Sequence, residues 1–98
     1  MMIKDLKIAF EKYESENTTF SQISDPKPFR SADMCAFHLL SCLVPSTQDI
    51  ISSAEHDVVY LSTDCNKLAK IATEDHILYL VRCGIWYNQK YNCLCLYI

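Results

Sequence analysis

Leu80-Val81-Arg82-Cys83-Gly84-Ile85, followed by Lys90-Tyr91-Asn92-Cys93-Leu94-Cys95-Leu96, is the stretch that decides the fold of this chain. The first piece reads as the end of a helix. Gly84 is placed to supply the left-handed residue that stops it. The second piece alternates along a strand entered through a polar turn. An earlier stretch has the same plan. Leu39-Leu40-Ser41-Cys42-Leu43-Val44 ends a helix with a cysteine in the matching place, and Glu55-His56-Asp57-Val58-Val59-Tyr60-Leu61 matches the turn and strand. A helix followed by a hairpin, used twice, buries one face of a small sheet under helices.

Working outward from this repeat, residues 3–13 space Ile3, Leu6, Phe10 and Tyr13 along one helical face, with Lys4, Lys7 and Glu11 between them. Residues 15–30 are polar and close on Asp25-Pro26-Lys27-Pro28, which reads as a loop with a short extended piece at 18–23. Ser31 or Asp33 is expected to cap the next helix, which Pro45 ends. Residues 48–53 read as a strand, Glu55-His56-Asp57 as a turn and residues 58–62 as the return strand. Thr63 or Asp64 caps a short helix through Ile71, and Thr73 caps another. Residues 85–88 and 92–98 form the second hairpin. In its closing strand Cys93, Cys95 and Tyr97 share one face, and Leu94, Leu96 and Ile98 the other. Both sets are apolar, so the strand is expected in the middle of the sheet or covered on both sides.

The expected fold is α+β: a mostly antiparallel sheet of two hairpins, helices on one face, and an N-terminal helix. It is one domain over 1–98, divided into 1–30 (helix and loop), 31–62 (first helix–hairpin unit) and 63–98 (second unit). Half of the 98 residues are apolar, enough for a core without a metal or disulfide staple. Cys42 and Cys83 are expected at equivalent places near two helix ends, as core thiols. The start of the chain has no apolar run of the kind a signal peptide needs, and no stretch reaches a membrane-spanning length. A cytoplasmic location and six reduced cysteines are therefore expected.

The net charge of −3 opposes non-specific nucleic-acid binding, which needs a positive field. Helix-then-hairpin also suggests a winged helix. But Lys67, Lys70 and Arg82 are balanced by Asp64, Glu74 and Asp75, so direct DNA binding is not expected. The single glycine excludes a glycine-rich phosphate loop. Cys93 and Cys95 share a strand face and invite a zinc reading. Zinc wants four ligands, and Cys83, Cys65 or a histidine would have to complete the set. A run of buried apolar positions explains the same residues more simply. Cys35 and His38, one helical turn apart, are a possible thiol–imidazole pair without a visible oxyanion loop or orienting group. No catalytic residue, metal or cofactor is assigned.

What remains is surface. The candidate partner-binding residues are Glu55, His56 and Asp57 at one turn, and Tyr87, Lys90 and Tyr91 at the other. Trp86 and Tyr87 occupy adjacent strand positions, so they face opposite sides. Tyrosine and tryptophan combine large area with a polar handle, which makes them common interface anchors. If the turns do not bind, the acidic positions Glu11, Glu14 and Glu16 are the next candidates.

Residues 55–98 carry a resemblance. Glu55-His56-Asp57-Val58-Val59-Tyr60-Leu61, Leu68-Ala69, Ala72-Thr73-Glu74-Asp75, Leu80-Val81-Arg82-Cys83-Gly84 and Tyr87 with Cys93-Leu94 resemble small accessory proteins encoded by bacteriophages and prophages. The resemblance implies a protein made in a bacterial host cytoplasm that binds a host protein or ribonucleoprotein complex. Inhibitors of CRISPR effectors are one group of that kind. The expected function is thus a non-enzymatic protein-binding module, a phage-encoded inhibitor of a host defence system. The alternatives are a structural or assembly protein acting as a homo-oligomer, with a homodimer the simplest case, and a zinc or thiol protein.

Overall fold

The computed structural model describes residues 3–16 and 31–97, and the side chains from residue 5 onward. The expected extended piece at 18–23 and the proline-containing loop lie outside the described residues. The elements are α1 (Ile3–Lys12), a 3-10 turn (Glu14–Glu16), α2 (Ala32–Leu43), β1 (Ile51–Glu55), β2 (Val58–Leu61), α3 (Cys65–Ile71), α4 (Glu74–Arg82), β3 (Trp86–Asn88) and β4 (Cys93–Tyr97). The sheet has the order β1-β2-β4-β3, antiparallel at every pairing. The fold is α+β, as the repeat predicts.

Local chemistry places most boundaries. Asp64 accepts hydrogen bonds from the backbone N–H groups of Asn66 and Lys67, at 2.9 and 3.1 Å, and so starts α3. Thr73 accepts from the His76 N–H, while His76 Nδ1 accepts from the Thr73 N–H at 3.0 Å. This reciprocal pair opens α4. Ser31 stands at the N-cap of α2, but its side chain makes no capping bond, and Asp33 instead accepts from the Met34 N–H.

Gly84 ends α4 with φ 96°. The Ile85 N–H donates to the Leu80 carbonyl at 3.0 Å, and the Gly84 N–H to that of Val81 at 2.9 Å. This double closure requires a left-handed residue at position 84, and Leu80 and Ile85 seal it from within the core. A Cβ at position 84 would press on the neighbouring carbonyl. Gly84→Ala is therefore expected to destabilise the protein by about 1–2 kcal/mol, measured by urea unfolding.

β1 begins three residues later than the sequence suggests. The Ser46 hydroxyl accepts from the Gln48 N–H at 3.1 Å, which bends the chain where a strand was expected. Ser62 anchors the other side, its N–H donating to the Ile50 carbonyl at 2.7 Å. Glu55 is strand rather than turn and pairs with Val58, leaving His56 and Asp57 as a two-residue turn.

The two hairpins meet through their second strands. Val58 lies opposite Tyr97, Val59 opposite Leu96 and Tyr60 opposite Cys95. In the sequence repeat Tyr60 and Cys95 are equivalent positions, and so are Leu61 and Leu96. The register thus relates the two strands by an approximate twofold axis through the Tyr60–Cys95 pair. β4 is central, as its two apolar faces require.

One face of the sheet carries Val59, Leu61, Leu94 and Leu96, all buried in a continuous core with Leu6, Leu40, Leu68, Ile77 and Leu80 from the helices. Cys35, Cys65 and Cys83 belong to this core. Cys42 does not. It lies in the last turn of α2, equivalent in chain position to Cys83, yet its side chain is exposed. The expectation of two equivalent core thiols is corrected here: at α2 the buried face is Cys35, Ala36 and Leu40, and Cys42 falls off that stripe.

Candidate functional site

At the first turn His56 adopts φ 56°, a left-handed conformation that histidine tolerates better than most residues. Its Nε2 lies 3.9 Å from Glu55 Oε1, with both side chains in solvent. At the second turn Asn88 Oδ1 accepts from the N–H groups of Lys90 and Tyr91, at 3.0 and 3.4 Å. Asn92 closes that turn with φ 48°, and its Oδ1 accepts a hydrogen bond from the Tyr87 hydroxyl. Lys90 Nζ lies 5.2 Å from the centre of the Tyr91 ring.

The register sets these turns apart. Val58, just after the first turn, sits beside Tyr97, while the second turn precedes Cys93 at the other end of β4. Four residue steps along β4 separate the two ends, on the order of 13 Å. The six candidate residues therefore do not form one rim. His56 and Asp57 stand at one tip and Lys90 at the other. Tyr87 faces the helices, stacked on Phe10 with ring centres 6.4 Å apart. Trp86 is the outward member of that neighbouring pair.

Glu55 and Tyr91 line one cleft on the sheet face that points away from the core. Cross-strand partners align Trp86, Cys95, Tyr60 and Ser53 in one row over all four strands. Tyr97, Val58 and Glu55 form the next row. Trp86 stacks on Tyr97 at 5.3 Å and 22°. Tyr91 folds back from its turn to meet Tyr60 edge to face, at 5.9 Å and 85°. Ser52, Ser53, Glu55, Tyr60, Tyr91 and Cys93 line an open cleft of about 430 Å³ on this face. Tyr97 is 65% exposed and Tyr91 58%. The sequence reading missed Tyr60 and Tyr97 as surface groups and left open which of Trp86 and Tyr87 faces outward. The signal was present in the alternation that puts Cys93, Cys95 and Tyr97 together, opposite the leucines.

The thiols divide by burial. Cys93 Sγ and Cys95 Sγ lie 3.8 Å apart, and the Asn88 amide donates to Cys95 Sγ at 3.8 Å. Among the described residues no group of three or more histidine, cysteine, aspartate or glutamate side chains is placed to hold a metal ion. Cys65 and Cys83, candidates to complete such a set, lie in the helix-side core. Burial pushes the Cys65 and Cys83 thiols up to about 12. Cys95 also rises to about 12, from burial first and then from neighbouring Cys93. Burial likewise raises the Tyr79 hydroxyl, reinforced by a hydrogen bond with Cys35. His38 Nε2 lies 3.9 Å from the exposed Cys42 Sγ.

Reactivity follows. At pH 8 a disulfide reagent is expected to label Cys42 first in the native protein, with Cys65 and Cys83 slower by at least about a hundredfold. Denaturation under non-reducing conditions should expose all six thiols. Rapid native labelling of Cys83, read by peptide mass mapping, would contradict its place in the core. No protein-family model, curated protein or solved structure matches the chain.

Proposed function

We propose that this chain is a non-enzymatic protein-binding module that presents the outward face of its sheet to a partner. The observation that carries this reading is the aromatic surface of Trp86, Tyr97, Tyr60 and Tyr91, grouped by two ring contacts on the side away from the helices. Each ring held by its neighbours loses little side-chain freedom on binding, which favours aromatic anchors over flexible chains. Two basic side chains near the helices are engaged by carboxylates: Lys12 with Glu74 at 3.1 Å and Arg82 with Glu16 at 2.9 Å. This supports a protein partner over nucleic acid. The resemblance of residues 55–98 to phage accessory proteins supports a bacterial host machine as that partner, a CRISPR effector complex among the candidates.

The test uses the whole tagged chain as bait in a bacterial lysate, with the partner's affinity then measured on purified components. Tyr91→Ala combined with Tyr97→Ala is expected to weaken binding at least about tenfold, because a buried aromatic anchor contributes about 2 kcal/mol or more. The melting temperature should stay nearly unchanged, since both rings are largely in solvent. Full retention of the partner by the double variant would refute the face assigned here. Recovery of the chain alone, as a defined oligomer, would favour the homo-oligomeric assembly role instead.

A further inference from the structure

The cleft on the outward face combines three features that suit a cation. Glu55 supplies a carboxylate, Tyr60 and Tyr91 supply an edge-to-face pair of rings, and Ser52 and Ser53 keep the approach low on the β1 side. Aromatic rings attract cations through their negative faces, and the chain itself already places Lys90 Nζ 5.2 Å from the Tyr91 ring centre. Lys90 is not among the residues lining the cleft. The Tyr60 hydroxyl holds its proton more tightly than usual, through burial first and then the nearby Glu55 charge, so Glu55 acts at the ring as well as at the rim.

β1 is an edge strand. Among the described residues it pairs only with β2, and all five of its residues are exposed. Among the described residues no strand pairs with the N–H and C=O groups on its outer side, which is the requirement for adding a strand from another chain. A residue placed on that edge beside Ser53 has its side chain directed over a small position toward Tyr60.

We propose that this cleft seats an arginine carried by an extended segment of the partner, the segment itself pairing with the outer edge of β1. Arginine fits better than lysine because its planar group stacks on a tyrosine ring while donating two hydrogen bonds to one carboxylate. The chain's net charge of −3 favours the approach of such a segment. The proposal rests on the protein-binding reading and specifies the chemistry of the partner.

Nitrogen-15 NMR titration of the full chain with the peptide acetyl-Thr-Val-Arg-Val-Thr-amide tests it, against the same peptide with neutral citrulline in place of arginine. The expected result is shift changes at the amides of β1 and around Tyr60 and Tyr91. The arginine peptide should bind at least about fivefold more tightly than the citrulline peptide. Glu55→Gln, an exposed substitution that leaves the core untouched, should abolish that preference. Equal affinity for the two peptides, no shifts at β1 and the cleft at millimolar peptide, or a preference that survives Glu55→Gln would each overturn the proposal. Tyr97 and Trp86 lie outside the cleft. If the titration fails while Tyr97→Ala still weakens partner capture, the arginine site falls and the binding reading stands.

Discussion

Raising the pH from about 9 to about 12 is expected to strip the protein of several kcal/mol of stability. The cause lies in the buried thiols, Cys65 and Cys83 foremost, with Cys95 raised as well. Burial pushes the first two up to about 12, with Cys93 adding to the effect at Cys65 and Cys35 at Cys83. In the unfolded chain a thiol titrates near about 8.5. Below that value both states hold the proton, and these groups leave stability independent of pH. Between the two values the unfolded chain has released protons that the folded chain keeps, so stability falls as pH rises. The slope approaches at most about 1.4 kcal/mol per pH unit for each thiol. Urea midpoints measured from about pH 8 to about pH 11 check this. Cys65→Ala and Cys83→Ala should each flatten the decline, although each costs some stability at neutral pH through lost packing. A midpoint that stays constant over the whole range would show that the thiols are not buried as described.

Leu94→Ala is expected to cost about 2–5 kcal/mol, the largest effect of any single truncation in the sheet. Leu94 is 0% exposed, lies on the central strand, and belongs to the core that joins the sheet to the helices. Its cross-strand partner on β3 is Tyr87. Strand neighbours on both sides limit how far the site can collapse into the space left by the side chain. For a domain of this size such a loss is a large part of total stability, and the variant should melt well below the parent. Tyr97→Ala, three residues along the same strand but on the outward face, should change stability by less than about 1 kcal/mol. The contrast between the two is a direct measure of which face of β4 the helices cover.

The parts of the fold legible in the sequence are those set by neighbouring residues. Asp64 and Thr73 announce helix starts because their side chains satisfy N–H groups two or three residues away. Gly84 announces a helix stop because it is the only residue in the chain without a Cβ. The near-repeat identified β2 and β4 correctly as equivalent strands of one sheet. The late start of β1 was hidden because it depends on how Ser46 and Ser62 tie down the preceding chain. The environment of Cys42 was hidden too. Chain position makes it the counterpart of Cys83, but burial depends on how each helix is rotated against the core.

The candidate site was legible only in part, for a similar reason. Two turns rich in polar and aromatic groups can be read from local composition. Their separation depends on the pairing of Val58 with Tyr97, residues far apart in sequence. The meeting of Tyr60 with Tyr91 depends on the same register, followed by the return of the second turn over the sheet. Glu55 and Tyr91, both named from the sequence, line one cleft together with Tyr60, which the sequence reading did not name as a site residue. Trp86 and Tyr87 could be assigned to opposite faces from strand geometry alone, but only the packing of Phe10 against Tyr87 decides which faces inward.

The strand order β1-β2-β4-β3 also bears on how the chain folds. Each hairpin is local and closes on a timescale of about 1–10 μs. Their union is not local, since β2 waits for a strand more than thirty residues further along the chain. During synthesis the first hairpin is therefore complete before its central neighbour exists, and Val58-Val59-Tyr60-Leu61 then presents an unpaired apolar edge. That edge is a transient target for pairing with another nascent chain. Slowing translation between residues 62 and 97 should increase aggregation, while a pause before residue 51 should not.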